Sequence, residues 1–349
     1  MKLSASKLVI LRRTVQIGVL ALLFTIPAVA RYQNYLVSHE LDRTIERWDG
    51  TLPGGWLAGM DAVFRAMPGG EMERAGALQR NRDQVLEYSR LVRGSAWSAQ
   101  LGPISMTDPL AGAESIAASK SIAPVLLVGL AIPILITVVF GRVFCSWVCP
   151  MGFIFEMTDK LRRVAVFLEI KPRNVRYSPS TKYALLAVGL ILAAVFSVPL
   201  LGYIYPPAIA GREIHDLVFA LFDRAEIGRF GWTAEGLSWM TLLLGAVVAF
   251  EVLISRRWWC RYVCPGGALY SMLGSSRPVR VQLDSRSCTS CADCVRVCPM
   301  GLNPMHAKMG AECDSCGLCI SVCEDDALAY GLGWNDELPT NGLSDEVKA

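Results

Sequence analysis

Eight of the twelve cysteines fall in two runs near the end of the chain, Cys288-x2-Cys291-x2-Cys294-x3-Cys298-Pro299 and Cys313-x2-Cys316-x2-Cys319-x3-Cys323-Glu324. Thiolates at this spacing are the ligand pattern of a ferredoxin module that carries two [4Fe–4S] clusters and passes single electrons. Three thiolates two residues apart wrap one cubane, and the fourth, three residues on, points toward the other. The expected ligands are therefore Cys288, Cys291, Cys294 and Cys323 for one cluster and Cys298, Cys313, Cys316 and Cys319 for the other. Glu324 stands where a proline is expected after the last cysteine, but that position is not a ligand. Structural zinc calls for a different grouping, and disulfides do not suit a reducing cytoplasmic compartment.

The remaining four cysteines form an internal repeat, Arg142-Val-Phe-Cys145-Ser-Trp-Val-Cys149-Pro150-Met-Gly152 and Arg257-Trp-Trp-Cys260-Arg-Tyr-Val-Cys264-Pro265-Gly-Gly267. If the preceding helix continues through each, cysteines at i and i+4 share one face, and Pro150 and Pro265 end or kink it. Three readings of Cys145, Cys149, Cys260 and Cys264 stand side by side. They could jointly hold an additional metal centre, with Arg142, Arg256 and Arg257 compensating the charge. They could be redox-active or transiently metal-binding thiols. They could be structural cysteines buried between helices beside the ferredoxin. Cys-x3-Cys is a weaker metal signal than Cys-x2-Cys, though duplication strengthens it. Trp147, Trp258, Trp259 and Tyr262 read first as interfacial anchors.

What must position these residues is apolar. The chain of 349 residues is 53% hydrophobic and 19% charged, with a mean hydropathy of +0.38. An ordinary soluble domain carries about 25% charged residues. A net charge of +3 is too small to argue for nucleic acid as a partner. Three scattered histidines, His39, His215 and His306, without a C-x-x-C-H, argue against haem. Four stretches approach the roughly 20 residues needed to cross a bilayer: Thr14 to Ala30, Ile122 to Phe140, Tyr183 to Tyr203 and Leu237 to Ser255. The first is expected to stay as an anchor rather than to be cleaved as a signal peptide. Lys and Arg crowd the segments before the first, between the second and third, and after the fourth. Both termini are therefore expected in the cytoplasm. The roughly 90 residues from Arg31 to Ser121, and a shorter segment from Ile204 to Gly236, are then periplasmic. Leu41, Ile45 and Trp48 are spaced for one face of a helix in the longer of these.

Four spans, two Cys-x3-Cys-Pro elements after spans two and four, and a C-terminal double-cluster ferredoxin together resemble the NapH/MauN family of membrane ferredoxin-type proteins. The membrane core of the NosR family shares the Cys-x3-Cys-Pro plan. The resemblance runs from Thr107-Asp108-Pro109-Leu110 to about Tyr330. It implies electron transfer between the quinol pool and a periplasmic redox protein or enzyme complex, as in periplasmic nitrate reductase and methylamine dehydrogenase systems. The loop between spans one and two is long for that family and lacks a flavin-site motif of the NosR type. A quinol site would need polar groups near a span end; Arg212, His215 and Asp216 supply a histidine–carboxylate pair able to accept protons, although a solvated histidine is the simpler alternative. Glu251, inside span four, could relay protons or pair with Arg256.

The expected fold is thus a membrane α-helical protein of four transmembrane helices with a C-terminal cytoplasmic two-cluster ferredoxin-like α+β module. Residues 1–30 form the first span, 31–121 the periplasmic segment, 122–272 spans two to four with both cysteine pairs, 273–332 the ferredoxin-like domain and 333–349 a polar tail. The expected function is that of an iron–sulfur electron-transfer subunit of a quinol dehydrogenase in a bacterial inner membrane, with lipid and the quinone pool as partners. The other function weighed is an assembly factor that supplies electrons for reduction of a metal or a cysteine during enzyme maturation.

Overall fold

The computed structural model describes residues 5–37, 40–66, 99–101, 104–169, 175, 177–227, 239–306 and 309–334. Lys2, Trp97, Lys171, Arg173, Arg176 and most of the tail expected over 333–349 lie outside the described residues. In chain order the elements are α1 (Ala5–Val37), α2 (Leu41–Arg47), α3 (Leu52–Ala66), β1 (Ala99–Leu101), β2 (Ile104–Met106), α4 (Pro109–Ser119), α5 (Pro124–Phe140), α6 (Val143–Trp147), α7 (Pro150–Phe167) and α8 (Ser180–Phe196). These are followed by α9 (Pro206–Ile227), α10 (Trp239–Leu253), α11 (Pro265–Leu273), β3 (Val279–Leu283), α12 (Asp293–Val297), α13 (Leu318–Ser321) and β4 (Leu328–Leu332). The chain divides into two compact units. One comprises Met1–Ile17, Pro109–Tyr205 and Val247–Ala349; the other comprises Gly18–Asp108 and Pro206–Ala246.

In the second unit, α2 and α3 pack on the last turns of α1. Tyr32, Tyr35, Leu41, Trp48 and Leu57 are buried together, with Ile45 at the edge, so the helix face expected at Leu41, Ile45 and Trp48 is apolar and inward. Tyr32 stacks on Phe64 with centroids 5.1 Å apart and donates its hydroxyl proton to Asp61 at 2.8 Å. With Arg65, which pairs with the other oxygen at 2.7 Å, that bond satisfies a buried carboxylate that would be costly unpaired. The described part of the segment after span three is largely the 22-residue helix α9.

Among the described residues one helix, Lys7–Leu36, is long and apolar enough to cross a membrane. The apolar helices at the other three expected spans are shorter. α5 and α8 have 17 residues each, about 25 Å at 1.5 Å per residue against a hydrocarbon core of about 30 Å. The reasons are local. Gly141, at φ +73°, closes α5, and a Cβ there would lie 2.4 Å from the Arg277 side chain. α8 ends where Ser197 turns left-handed, so Leu201–Tyr203 form a 3-10 turn rather than the end of a span. Glu114 of α4 accepts the Leu201 backbone N–H and anchors that turn.

The C-terminal module is built on an antiparallel pair, β3 and β4, in the register Val279↔Leu332 to Leu283↔Leu328. Val281, Leu283, Ala327 and Leu328 turn their side chains into a small core with Met309, Cys294 and Cys319. The two cysteine runs lie between the strands and contribute α12 and α13, in a compact α+β arrangement.

Candidate metal centre

A cavity is lined by Cys288, Cys291, Cys294 and Cys323, with Leu283 and Leu328 among its apolar walls. Burial raises the Cys294 thiol above its ordinary range, and Cys288, Cys291 and Cys323 press on it further. Burial likewise raises Cys319, on which Cys313, Cys298 and Cys294 press further, and pushes Cys313 up to about 11. Four thiols converging on an apolar-walled pocket are a donor set that fits a cubane cluster, whose binding would release their protons. The first group faces outward, since Cys291 is exposed and Glu324, Asp325 and Asp326 beside it are exposed too. As the side chains stand, no three His, Cys, Asp or Glu among the described residues close around a single metal ion.

The duplicated pairs depart from the helix expected of them. α5 stops before the first pair, Cys145 sits in the separate five-residue α6, and Cys149 lies beyond it. The second pair sits on and just after a π-type turn, Trp259–Val263. Both repeats close with the same wide bond: Cys149 N–H donates to Phe144 O at 2.8 Å, and Cys264 N–H to Trp259 O at 2.8 Å. Such i→i−5 turns recur at functional sites. Pro150 and Pro265 begin the following helices, α7 and α11, rather than ending the preceding ones, in the position where a missing N–H costs nothing. Each second cysteine thereby sits at a helix N-terminus. Gly267 N–H donates to Cys264 Sγ at 3.3 Å, while Gly152 N–H donates to the backbone carbonyl of Cys149 at 2.9 Å. Helix N-termini favour negative charge on sulfur.

All four thiols lie within electrostatic reach of one another. Burial raises each of them, Cys264 up to about 12; Cys145 and Cys264 press on Cys149, and Cys264 and Cys149 on Cys260. Arg142 opposes the shift at Cys145, and Arg257 at Cys260. These are the arginines that precede the pairs at equivalent positions of the repeat. Arg256, expected to help, pairs instead with Asp159 at 2.9 Å.

Several residues hold this region, among them Glu156, Gln16 and Glu312, which sequence reasoning passed over. Glu251 does not meet Arg256; its carboxylate accepts Trp258 N–H at 3.0 Å and Trp259 N–H at 2.7 Å, capping the turn that carries Cys260. Glu156 of α7 gathers Arg12, Arg13 and Arg257. Gln16 donates to Ser146 O at 2.9 Å. The loop Glu312–Cys316 of the second terminal run is bonded directly onto the first cysteine turn. Ser146 Oγ donates to Asp314 O at 2.6 Å, Trp147 Nε1 to Ser315 O at 3.0 Å and Ser315 Oγ to Phe140 O at 3.2 Å. Arg142 reaches the Glu312 carboxylate at 2.7 Å, and Arg12 reaches Cys316 O at 3.1 Å. Burial works to raise Glu312, but Arg142 and the Lys182 and Tyr183 donors prevail and hold it below the usual range. Trp147 is thus a hydrogen-bonding partner of this loop as well as an aromatic at a helix end. The repeated arginine and the glutamate preceding Cys313 were the signals available in the sequence.

The residues considered for a quinol site lie on α9. His215 is largely buried and its Nδ1 stands 3.4 Å from Asp216 Oδ1, while Asp216 is exposed and Arg212 is exposed. Side chains at i and i+1 do not face each other on a helix, so the contact is a weak one.

A family described as "4Fe-4S binding domain" matches residues 122–166 and again 235–281. These are the two segments that carry the Cys-x3-Cys-Pro elements, not the terminal runs. The chain is 31% identical over 245 residues to ferredoxin-type protein NapH of Haemophilus influenzae, covering 67% of this chain and 77% of that one. It is 30% identical over 249 residues to ferredoxin-type protein NapH of Escherichia coli, covering 66% and 77%. It is 32% identical over 216 residues to the methylamine utilization ferredoxin-type protein MauN of Methylobacillus flagellatus, covering 61% and 68%. No solved structure matches the chain.

Proposed function

The chain belongs to the NapH and MauN family of ferredoxin-type proteins, and from that premise we propose that it is a membrane-bound quinol dehydrogenase subunit that passes electrons to a periplasmic redox partner. Its class is that of an iron–sulfur electron-transfer protein. The observation that carries the finer reading is the seating of the Glu312–Cys316 loop on the first cysteine turn. A ferredoxin tethered by the connection after Cys264 could have hung free; instead its second run is fixed against the first of the two cysteine turns.

In this reading Cys288, Cys291, Cys294 and Cys323 hold one [4Fe–4S] cluster and Cys298, Cys313, Cys316 and Cys319 the other. The bound clusters supply one-electron redox couples. The polypeptide holds the two sites on one small core through β3 and β4, with Leu283, Leu328 and Met309 packed against Cys294 and Cys319. Cys145, Cys149, Cys260 and Cys264 form the adjoining site, with the chemistry of a soft-metal or redox thiol group. His215, on α9, takes a proton from quinol.

Four spans with both termini in the cytoplasm complete the reading. Supporting it, α5 and α8 present exposed Val128, Leu135, Ile191 and Val195, an apolar surface that suits lipid better than water. Helices somewhat shorter than the hydrocarbon core are accommodated by local thinning of the bilayer.

The test is quinol oxidation by the purified protein with its redox partner. Cys149→Ser with Cys264→Ser should abolish electron flow while both terminal clusters assemble, and His215→Ala should slow it. Normal rates in the double variant would refute a path through these thiols. Persistent quinol oxidation with failed maturation of the partner enzyme would favour the assembly role instead.

A further inference from the structure

We propose that Glu312 and Arg142 are positioning residues that set the redox potential of the cluster held chiefly by the second run (Cys313, Cys316 and Cys319, with Cys298) apart from that of the cluster held chiefly by the first; the inference rests on the cluster assignment above. Glu312 immediately precedes Cys313, and its carboxylate is met from two sides. Arg142, at the head of the first cysteine turn, donates Nη1–H to Glu312 Oε2 at 2.7 Å and to Glu312 O at 3.2 Å. Lys182 and Tyr183, at the start of α8, complete the shell: Lys182 Nζ donates to Oε2 and Tyr183 OH donates to Oε1 at 2.6 Å. The Arg142 side chain is 1% exposed and that of Lys182 0%. Arg142 also points Nη2–H at Cys260 O, at 3.5 Å.

Three buried cations, Arg142, Lys182 and Arg277, stand against two carboxylates, Glu312 and the buried Asp314, and leave an excess of one positive charge beside Cys313. Buried charge is costly unless paired, and an apolar contact would have held the loop as well. What an apolar contact cannot do is act electrostatically on a neighbouring redox centre. Cluster potentials respond to net charge, hydrogen bonds and solvent exposure. The second run, desolvated and beside net positive charge, is placed to favour its more negative, reduced form. The site of Cys288, Cys291, Cys294 and Cys323 has more solvated surroundings: Cys291, Glu324, Asp325 and Asp326 are exposed, and the cation beside it, Arg296, is exposed and paired with Asp293 at 2.7 Å. The two couples should therefore separate, the second run lying higher.

Redox titration of the purified full-length protein, followed by electron paramagnetic resonance with dithionite as reductant and iron quantified, tests this. Glu312→Gln removes the carboxylate and should raise one couple, leaving the other in place and the iron content unchanged. Arg142→Gln should lower that same couple; Lys182→Gln, which also removes a cation, should do likewise and serves if the Arg142 variant does not fold. Each shift is expected to reach about tenfold in the ratio of reduced to oxidised form at fixed potential, about 59 mV for one electron. A merely structural role would move the variants in the same direction or lose iron without moving a potential. Either result, or two couples unmoved in iron-replete variants, overturns the inference. Wild-type protein without iron at the terminal runs would instead refute the cluster assignment itself.

Discussion

Glu251 offers the most quantitative check on how the second cysteine turn is held. Its side chain is 2% exposed, and its two oxygens each accept one backbone N–H, from Trp258 at 3.0 Å and from Trp259 at 2.7 Å. The carboxylate is reached from within one chain segment, seven and eight residues on, so the bonds are local and form with the turn. Glu251→Ala leaves both donors without an acceptor in a place water does not reach. Hydrogen bonds to a charged group contribute about 1.5–3 kcal/mol each, so the pair is worth about 3–6 kcal/mol. That is a large part of the roughly 5–15 kcal/mol by which a domain is stable. Glu251→Gln keeps one carbonyl acceptor but turns an amide N–H toward the other donor, and should cost about half as much. The assay is thermal unfolding in detergent followed by tryptophan fluorescence, since Trp258 packs on Phe250 with centroids 4.4 Å apart and reports on this turn. At about 2–4 °C per kcal/mol for a domain of some 200 residues, the alanine variant should melt at least about 6 °C lower, with glutamine between. An alanine variant that melts within about 2 °C of the wild type would show that the capping bonds do not support the turn.

Purified without oxygen, the protein should carry about eight iron atoms in two cubanes, as paired Cys-x2-Cys-x2-Cys-x3-Cys runs require, and Cys294→Ser should lose about half of them; stoichiometric zinc with negligible iron would refute this. Reporter fusions at Trp97 and at the C-terminus should report opposite sides of the membrane, as the distribution of Lys and Arg requires, and a same-side result would remove one span.

The two terminal cysteine runs could be read for their chemistry because ligand spacing is a local property. A cubane needs three thiolates within one short loop, and the order of residues along the chain states that directly. The second repeat was equally visible as a pattern, and the segments it occupies are those the iron–sulfur family matches. Its conformation was not visible. A spacing of i, i+4 suits an α-helix, yet Cys149 and Cys264 close i→i−5 turns, with Gly141 and the Glu251 cap breaking the helix. Whether a helix continues depends on which donors find acceptors, and Glu251 is the competing acceptor for Trp258 and Trp259.

What the sequence determined by itself is composition and periodicity: an apolar chain, a two-run ferredoxin and a duplicated Cys-x3-Cys-Pro element. Each needs only neighbours in the chain to be recognised. Pairing of charges was decided by tertiary structure alone. Arg256 faces Asp159 rather than Glu251, Glu156 gathers Arg12 and Arg257, and Glu312 finds Arg142 and Lys182, more than a hundred residues away. Any of these arginines is a chemically acceptable partner for any of the carboxylates. Only the folded chain fixes which ones meet, because a buried ion must be placed within hydrogen-bonding distance of its counterion to offset the loss of water.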